Sequence, residues 1–291
     1  MFINYIFFLS ILITSCFLSA NELPIGFSSE EISKIPTIYD MGRETDPPET
    51  PIRNIAEYEP MQGVLIRYPF GIYTSLIAEM SQSTKVYCLV TSNSQSNAYN
   101  SMNNNGANMN NVEFINGSTD SYWTRDYGPW WVVDGNNSVS VVDHTYNRPR
   151  PNDNDVPLRV ANYFNTPYFA SDIVTAGGNY MTDGLGIGAS SLLIYDENPS
   201  LSESVIHDLM QEYYGVHEYY TIDDPNNTYI DHIDCWGKFL SPSKVLIRSV
   251  QSSHPQYDEL EETVDYFESR LNSFGEPWEV FRVYTPYNQP Y

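Results

Sequence analysis

Beyond residue 60 the chain keeps switching between short apolar runs and single amphipathic stretches, and this alternation restricts its fold more than any other feature. Runs rich in β-branched and aromatic residues predict strands over residues 61–68, 85–91, 112–115, 130–134 and 139–144. The last two flank Gly135-Asn136-Asn137, a hairpin-turn signal. A short helix fits residues 73–80. The Asn- and Ser-rich stretch 92–111 still spaces Met102, Ala107 and Met109 so that a short amphipathic helix can form.

The second half repeats the theme. Strands are expected over residues 176–182, 185–187, 191–195, 218–221, 232–240, 245–250 and 278–283, with helices over 201–214 and 255–274. Ser202 and Gly215 suit the two ends of the first helix, and Gly275 closes the second. Strand pairs alternating with single helices imply an α/β architecture of repeated small units, although no repeat is legible in the residues themselves.

The N-terminus reads differently. An apolar run over residues 5–18, broken only by small hydroxylated residues and followed by Asn21-Glu22, marks residues 1–20 as a signal peptide and the protein as exported: secreted, periplasmic or envelope-associated. Ile13-Thr14-Ser15-Cys16 also resembles a lipobox, which would anchor the chain through an acylated Cys16; cleavage after Ala20 fits as well. Residues 21–53, rich in Pro, Glu and Thr, form an extended lead-in, and residues 54–291 form one domain. A net charge of -23 disfavours nucleic acid and anionic membrane surfaces as partners and favours cationic ones. Beyond the signal only Cys88 and Cys235 remain, too few for a disulfide framework, and Cys88 lies in an apolar run that suits a buried thiol.

Two segments carry candidate chemistry. In Trp123-Thr124-Arg125-Asp126-Tyr127-Gly128-Pro129-Trp130, aromatic rings and a Gly-Pro stop surround one Arg and one Asp. An Arg-Asp pair alone is usually an ordinary surface ion pair, but a carboxylate among ring faces is partly desolvated and suits a guanidinium partner. In Tyr229-Ile230-Asp231-His232-Ile233-Asp234-Cys235-Trp236, an extended chain would turn His232 and Asp234 to one face and Cys235 to the other. Such a pair fits catalysis and fits a satisfied polar strand end equally. His144, His207, His217 and His254 form no spaced cluster that would suggest a metal.

Trp123 through Pro129, Gly177-Gly178-Asn179 and His232-Ile233-Asp234 resemble, in order and interval, the agmatine deiminase and bacterial peptidylarginine deiminase superfamily. The resemblance covers residues 54–291 and implies the pentein fold, an α/β propeller of ββαβ units with pseudo-fivefold symmetry. Tyr146-Asn147-Arg148-Pro149-Arg150-Pro151-Asn152-Asp153 is similar to the substrate loop of the Porphyromonas-type peptidylarginine deiminases, in which two arginines hold a peptide's C-terminal carboxylate. The implied reaction converts arginine in peptides or proteins, preferably C-terminal arginine, to citrulline and ammonia, without a cofactor. Asp126 and Asp234 would hold the guanidinium, a cysteine thiolate would attack it, and His232 would serve as general acid and then base. Trp123 and Tyr229 would line the slot, and Arg148 and Arg150 would hold the carboxylate; as residues alone, the two arginines also fit a solvated basic loop.

One departure stands out. The resemblance places the nucleophilic Cys near the end of the last of five units, whereas this sequence stops at Tyr291, with Asn288-Gln289-Pro290-Tyr291 reading as the start of a strand. Cys235 is expected to face the core, where its pKa rises and little thiolate forms. The chain is therefore expected to be a C-terminally incomplete deiminase without its nucleophile. A noncatalytic arginine-peptide-binding module and an agmatine deiminase are the alternatives.

Overall fold

The computed structural model describes residues 22–227 and 229–286; the signal-peptide segment, Cys16 and the strand expected to begin at Asn288 lie outside the described residues. Among the described residues, the apolar runs fold into four small sheets instead of one wide one. A two-residue strand, β1 (Arg53–Asn54), precedes the first three-stranded group, β2 (Gly63–Arg67), β3 (Lys85–Val90) and β4 (Val112–Asn116). These strands are parallel, so each connection must cross back, and α1 (Thr74–Ser83) and α2 (Gln95–Asn104) do so. Strand β3 is central and covered on both faces, which explains its unbroken apolar run. Cys88 lies in it fully buried, and burial pushes its thiol up to about 12.

After a single turn, α3 (Thr124–Tyr127), the next three sheets share one plan: an antiparallel strand pair, a helical crossover and a parallel third strand. In the first, β5 (Trp130–Val133) and β6 (Val139–Tyr146) form the hairpin. The turn α4 (Pro151–Asn154) and helix α5 (Val156–Phe164) then return the chain to β7 (Tyr168–Thr175), while β1 extends the sheet beyond β5. Asn137, at φ 59°, takes the left-handed turn position, and the Asp134 carboxylate accepts from the backbone N–H groups of Asn136 and Ser138.

The second repeat is β8 (Met181–Thr182), β9 (Ile187–Ser191), the turn α6 (Leu193–Asp196), α7 (Glu203–Tyr214) and β10 (Glu218–Ile222). The third is β11 (Gly237–Ser241), β12 (Lys244–Ser249), α8 (Tyr257–Glu268) and β13 (Glu279–Tyr284). Helix α7 carries the expected caps: Ser202 Oγ accepts from Val205 N, and Gly215 adopts the left-handed conformation. Local hydrophobic clusters pack within and between the units, such as Ile66, Ile77, Val86 and Met102 in the first. Among the described residues, no helix is long and apolar enough to cross a membrane.

Several expectations need correction. The lead-in is not wholly extended, because Ile32–Met41 forms 3-10 helix. Helix α5 and strand β7 occupy a stretch to which the sequence had assigned no element. Residues 185–195 hold one strand, β9, followed by the turn α6, where two strands were expected; a helical turn, not a strand, buries Ile194 and packs Tyr195 against the same cluster. The run 176–182 is broken by a 3-10 turn, Gly177–Asn179. Helix α8 ends at Glu268, and Gly275 instead serves a separate turn at φ 77°.

Candidate active site

Each sheet is joined to the next by a short helical turn, and those turns bring the candidate residues together. Turn α3 links β4 to β5 and carries Asp126; Gly177–Asn179 links β7 to β8; a 3-10 turn, Ile233–Cys235, links β10 to β11 and carries Asp234. The second turn packs against both of the others. In α3, Gly128 is required because a Cβ there would lie 2.4 Å from Thr124 O, and Pro129 stops further helix. Asn179 braces the centre: its Oδ1 accepts from Ser191 N at 2.9 Å and from Ile233 N at 3.3 Å.

Gly178 marks the point of convergence. A Cβ added there would lie 2.6 Å from Asp126 Oδ1, 2.8 Å from His232 Nδ1 and 3.1 Å from Asp234 Oδ2. His232 Nδ1 itself is 3.5 Å from Asp126 Oδ1, and both side chains are buried. His144 Nε2 lies 3.3 Å from Asp126 O and supports the turn from beneath. Gly177 is equally constrained, since a Cβ there would meet Arg125 O at 2.4 Å.

The electrostatics suit a cation. Burial alone would depress the His232 pKa, but the hydrogen bond to Asp126 and the charges of Asp126, Asp234 and Glu197 outweigh it and raise the pKa above the ordinary value. Burial raises Asp234, against the pull of Lys238 and His232. Together these groups form a buried acidic cluster around an imidazole whose affinity for a proton is raised. His232 Nε2 is enclosed and has no hydrogen-bond partner among the described residues.

His232 and Asp234 do not lie on a strand, as the alternation reading required. Strand β11 starts only at Gly237, and the preceding 3-10 turn follows Asp231, which sits at φ 55°. Cys235 is therefore not turned away by strand alternation. It is half-buried against the apolar cluster of the last two sheets, and burial together with Asp234, Asp224 and Asp126 pushes its thiol up to about 12. Arg125 points away from Asp126: it pairs with Glu57 at 2.7 Å and lies over the Trp130 ring.

Four further candidates meet the lead-in. Arg148 and Arg150 are buried, so the solvated-loop reading is wrong. Arg150 Nε donates to Glu31 Oε1 at 2.7 Å, and Arg148 Nε donates to Ile25 O at 3.0 Å. Trp123 is half-buried, and its Nε1 donates to Leu23 O at 3.0 Å. Tyr229 is 80 % exposed, with its ring against Gly26.

Glu197 was not singled out from the sequence. Its Oε1 accepts from Asn147 Nδ2 at 2.5 Å, its Oε2 is enclosed without a partner among the described residues, and burial pushes its carboxyl up to about 7. Its only sequence signal was a break in apolar pattern after Tyr195.

A model of the Porphyromonas-type peptidyl-arginine deiminase family aligns with residues 55–290. The chain belongs to this family. Family members are deiminases, which hydrolyse a guanidino group. An agmatine deiminase of Medicago truncatula is 26% identical over 243 residues, covering 74% of this chain and 63% of the relative. The chain thus spans under two thirds of the length of that curated relative.

Solved structures share the fold. An agmatine deiminase of Enterococcus faecalis superposes with a TM-score of 0.70 at 18% identity, covering 92% of this chain and 75% of that one. An agmatine deiminase of C. jejuni superposes with a TM-score of 0.66 at 18% identity, covering 82% and 74% respectively. These likenesses establish the pentein fold, in which the deiminase family's ββαβ units appear here as the hairpin, helix and parallel strand of the last three sheets.

Proposed function

We propose that this chain forms the guanidinium-binding and proton-transfer centre of a deiminase acting on arginine in peptides. The observation that carries the reading is the convergence of Asp126, His232 and Asp234 on Gly178. Two carboxylates can accept hydrogen bonds from opposite sides of one planar guanidinium, which has donors on both edges. That grip orients the central carbon. A thiolate from outside the described residues adds to it, His232 protonates the departing ammonia, and His232 then accepts a proton from the water that releases citrulline. A raised imidazole pKa suits the first role, since the proton must be present before ammonia leaves. Neither described thiol is suited to be the nucleophile: Cys88 is fully buried within β3, and burial pushes the Cys235 thiol up to about 12.

Peptidyl arginine, and C-terminal arginine in particular, is favoured by the two buried guanidinium groups of Arg148 and Arg150 and by the family match. Agmatine is the second reading. It is favoured by the names of the curated relatives and by the carboxylate that Arg150 already holds. Export, inferred from the apolar run over residues 5–18, belongs to the same proposal and would place peptides rather than cytoplasmic amines within reach.

Calorimetric titration with a peptide ending in arginine, the same peptide as its C-terminal amide, and agmatine separates these readings. Tighter binding of the free-carboxylate peptide, lost in Asp126→Asn, is expected. Agmatine binding more tightly than either peptide would transfer the proposal to the amine.

A further inference from the structure

Residues 22–31 touch every side chain that the sequence named for substrate binding. Leu23 O accepts from Trp123 Nε1, Ile25 O from Arg148 Nε, and both Pro24 O (2.7 Å) and Gly26 O (2.9 Å) from Arg150 Nη2. The Phe27 ring lies 4.5 Å from the Arg148 guanidinium carbon, and the Tyr229 ring rests on Gly26. Glu31 then places both carboxylate oxygens on Arg150, at 2.7 Å from Nε and 3.2 Å from Nη2. This is how a guanidinium fork takes a carboxylate.

The contacts are those of a bound peptide: main-chain carbonyls meeting indole and guanidinium donors, and one carboxylate at the end. What anchors the segment is mostly polar. Within residues 22–31 only Gly26 and Glu31 are buried, and Phe27 is 36% exposed. A segment with so little apolar burial opens at small cost compared with the strands beneath it. Glu31 also reaches back to Ser28 N at 2.8 Å, so the carboxylate is presented by a local turn of the lead-in itself.

We propose that the lead-in is an intramolecular competitor of the substrate, with Glu31 occupying Arg150 in place of the substrate's carboxylate. The inference rests on the reading of Arg150 as a carboxylate-binding residue in a guanidinium site. A ligand with both a guanidinium and a carboxylate can displace the lead-in; a guanidinium lacking a carboxylate leaves Glu31 where it is. Competition of this kind lowers apparent affinity by the fraction of molecules in which the segment is released. Glu31 is thereby a specificity-determining residue as well as a barrier, because it makes release depend on the ligand's carboxylate.

The test uses two probes, ethylguanidine and a short peptide ending in arginine, on the unmodified chain and on Glu31→Gln. Expected is peptide binding roughly tenfold tighter in Glu31→Gln, since a neutral amide holds the guanidinium less firmly than a carboxylate, with ethylguanidine affinity the same in both proteins. Hydrogen exchange on the unmodified chain supplies a measurement independent of the variant's folding: saturation with the peptide should remove protection from the Ser28 and Glu31 amides, whose hydrogen bonds form the docked turn, and leave β3 and β6 unchanged. Equal peptide affinity in the two proteins, or peptide binding with the lead-in still protected, overturns the competitor while ethylguanidine binding keeps the guanidinium site standing. Failure of ethylguanidine to bind either protein removes the site reading, and the inference with it.

Discussion

Asp126 Oδ1 lies 3.5 Å from His232 Nδ1, joining a turn of the first inter-sheet link to a turn of the third. That carboxylate, by hydrogen bond and by charge, contributes most to raising the pKa of the buried imidazole, against a desolvation that works the other way. Asp126→Asn should therefore lower the His232 pKa, measured by following its ring protons with NMR against pH. An unchanged midpoint would mean that Asp234 and Glu197 hold the proton without Asp126.

Gly178 faces the three side chains with no space for a Cβ of its own. Gly178→Ala keeps a backbone conformation open to alanine but puts a methyl group within 3.1 Å of Asp126, His232 and Asp234. Affinity for ethylguanidine should fall by more than about tenfold, the worth of one displaced charge-assisted hydrogen bond, while circular dichroism stays that of the parent. Undiminished binding would show that the guanidinium lies elsewhere.

Arg150 and Glu31 are each buried against the other. Arg150→Leu leaves the Glu31 carboxylate without its partner and should cost up to about 3 kcal/mol, the low end for breaking a buried pair and limited by release of the lead-in to solvent. Adding Glu31→Leu should recover most of that loss, because the penalty arises from the unpaired charge. Urea unfolding of the single and double variants measures both, and a double variant no more stable than the single would contradict the pairing.

Stability should depend on pH in a definite direction. Burial raises the carboxyls of Asp143, Asp153 and Glu197 to about 7, above their unfolded values. Such groups favour the folded state most below the unfolded pKa, and that contribution is lost as pH rises through about 7. Glu31 and Glu59 act oppositely: burial opposes ionisation, but hydrogen bonds, chiefly from Arg150 and Arg53, hold both below the usual range, so their contribution disappears as pH falls below it. A melting temperature higher at pH 5.5 than at pH 8 is expected, reinforced by self-repulsion of the -23 charge. The reverse order would mean that the three raised carboxyls do not govern this range.

Cys235 should be nearly inert. With its thiol pushed up to about 12, it should react with iodoacetamide at pH 8 on the order of a thousandfold more slowly than an ordinary thiol of pKa about 8.5. Rapid labelling in the folded protein would reopen its candidacy as nucleophile.

Much of this molecule was legible in one dimension. Strands β3, β5, β6 and β12 and helix α7 were readable because apolar periodicity and caps such as Ser202 and Gly215 are local properties of the chain. Asp126, His232 and Asp234 were legible as a set only through the order and spacing of their motifs. Their convergence was not, because it depends on three inter-sheet turns meeting at a glycine with no side chain of its own. The same limit hid the partners of Arg148 and Arg150. A Pro- and Glu-rich lead-in looks like an extended tail when read residue by residue, and it takes folding to bring Glu31 onto Arg150 across 119 positions of sequence. Local patterns report which backbone conformation a segment prefers; which charges share a buried space is settled by long-range packing, and it is there that Glu197 and the lead-in entered the site.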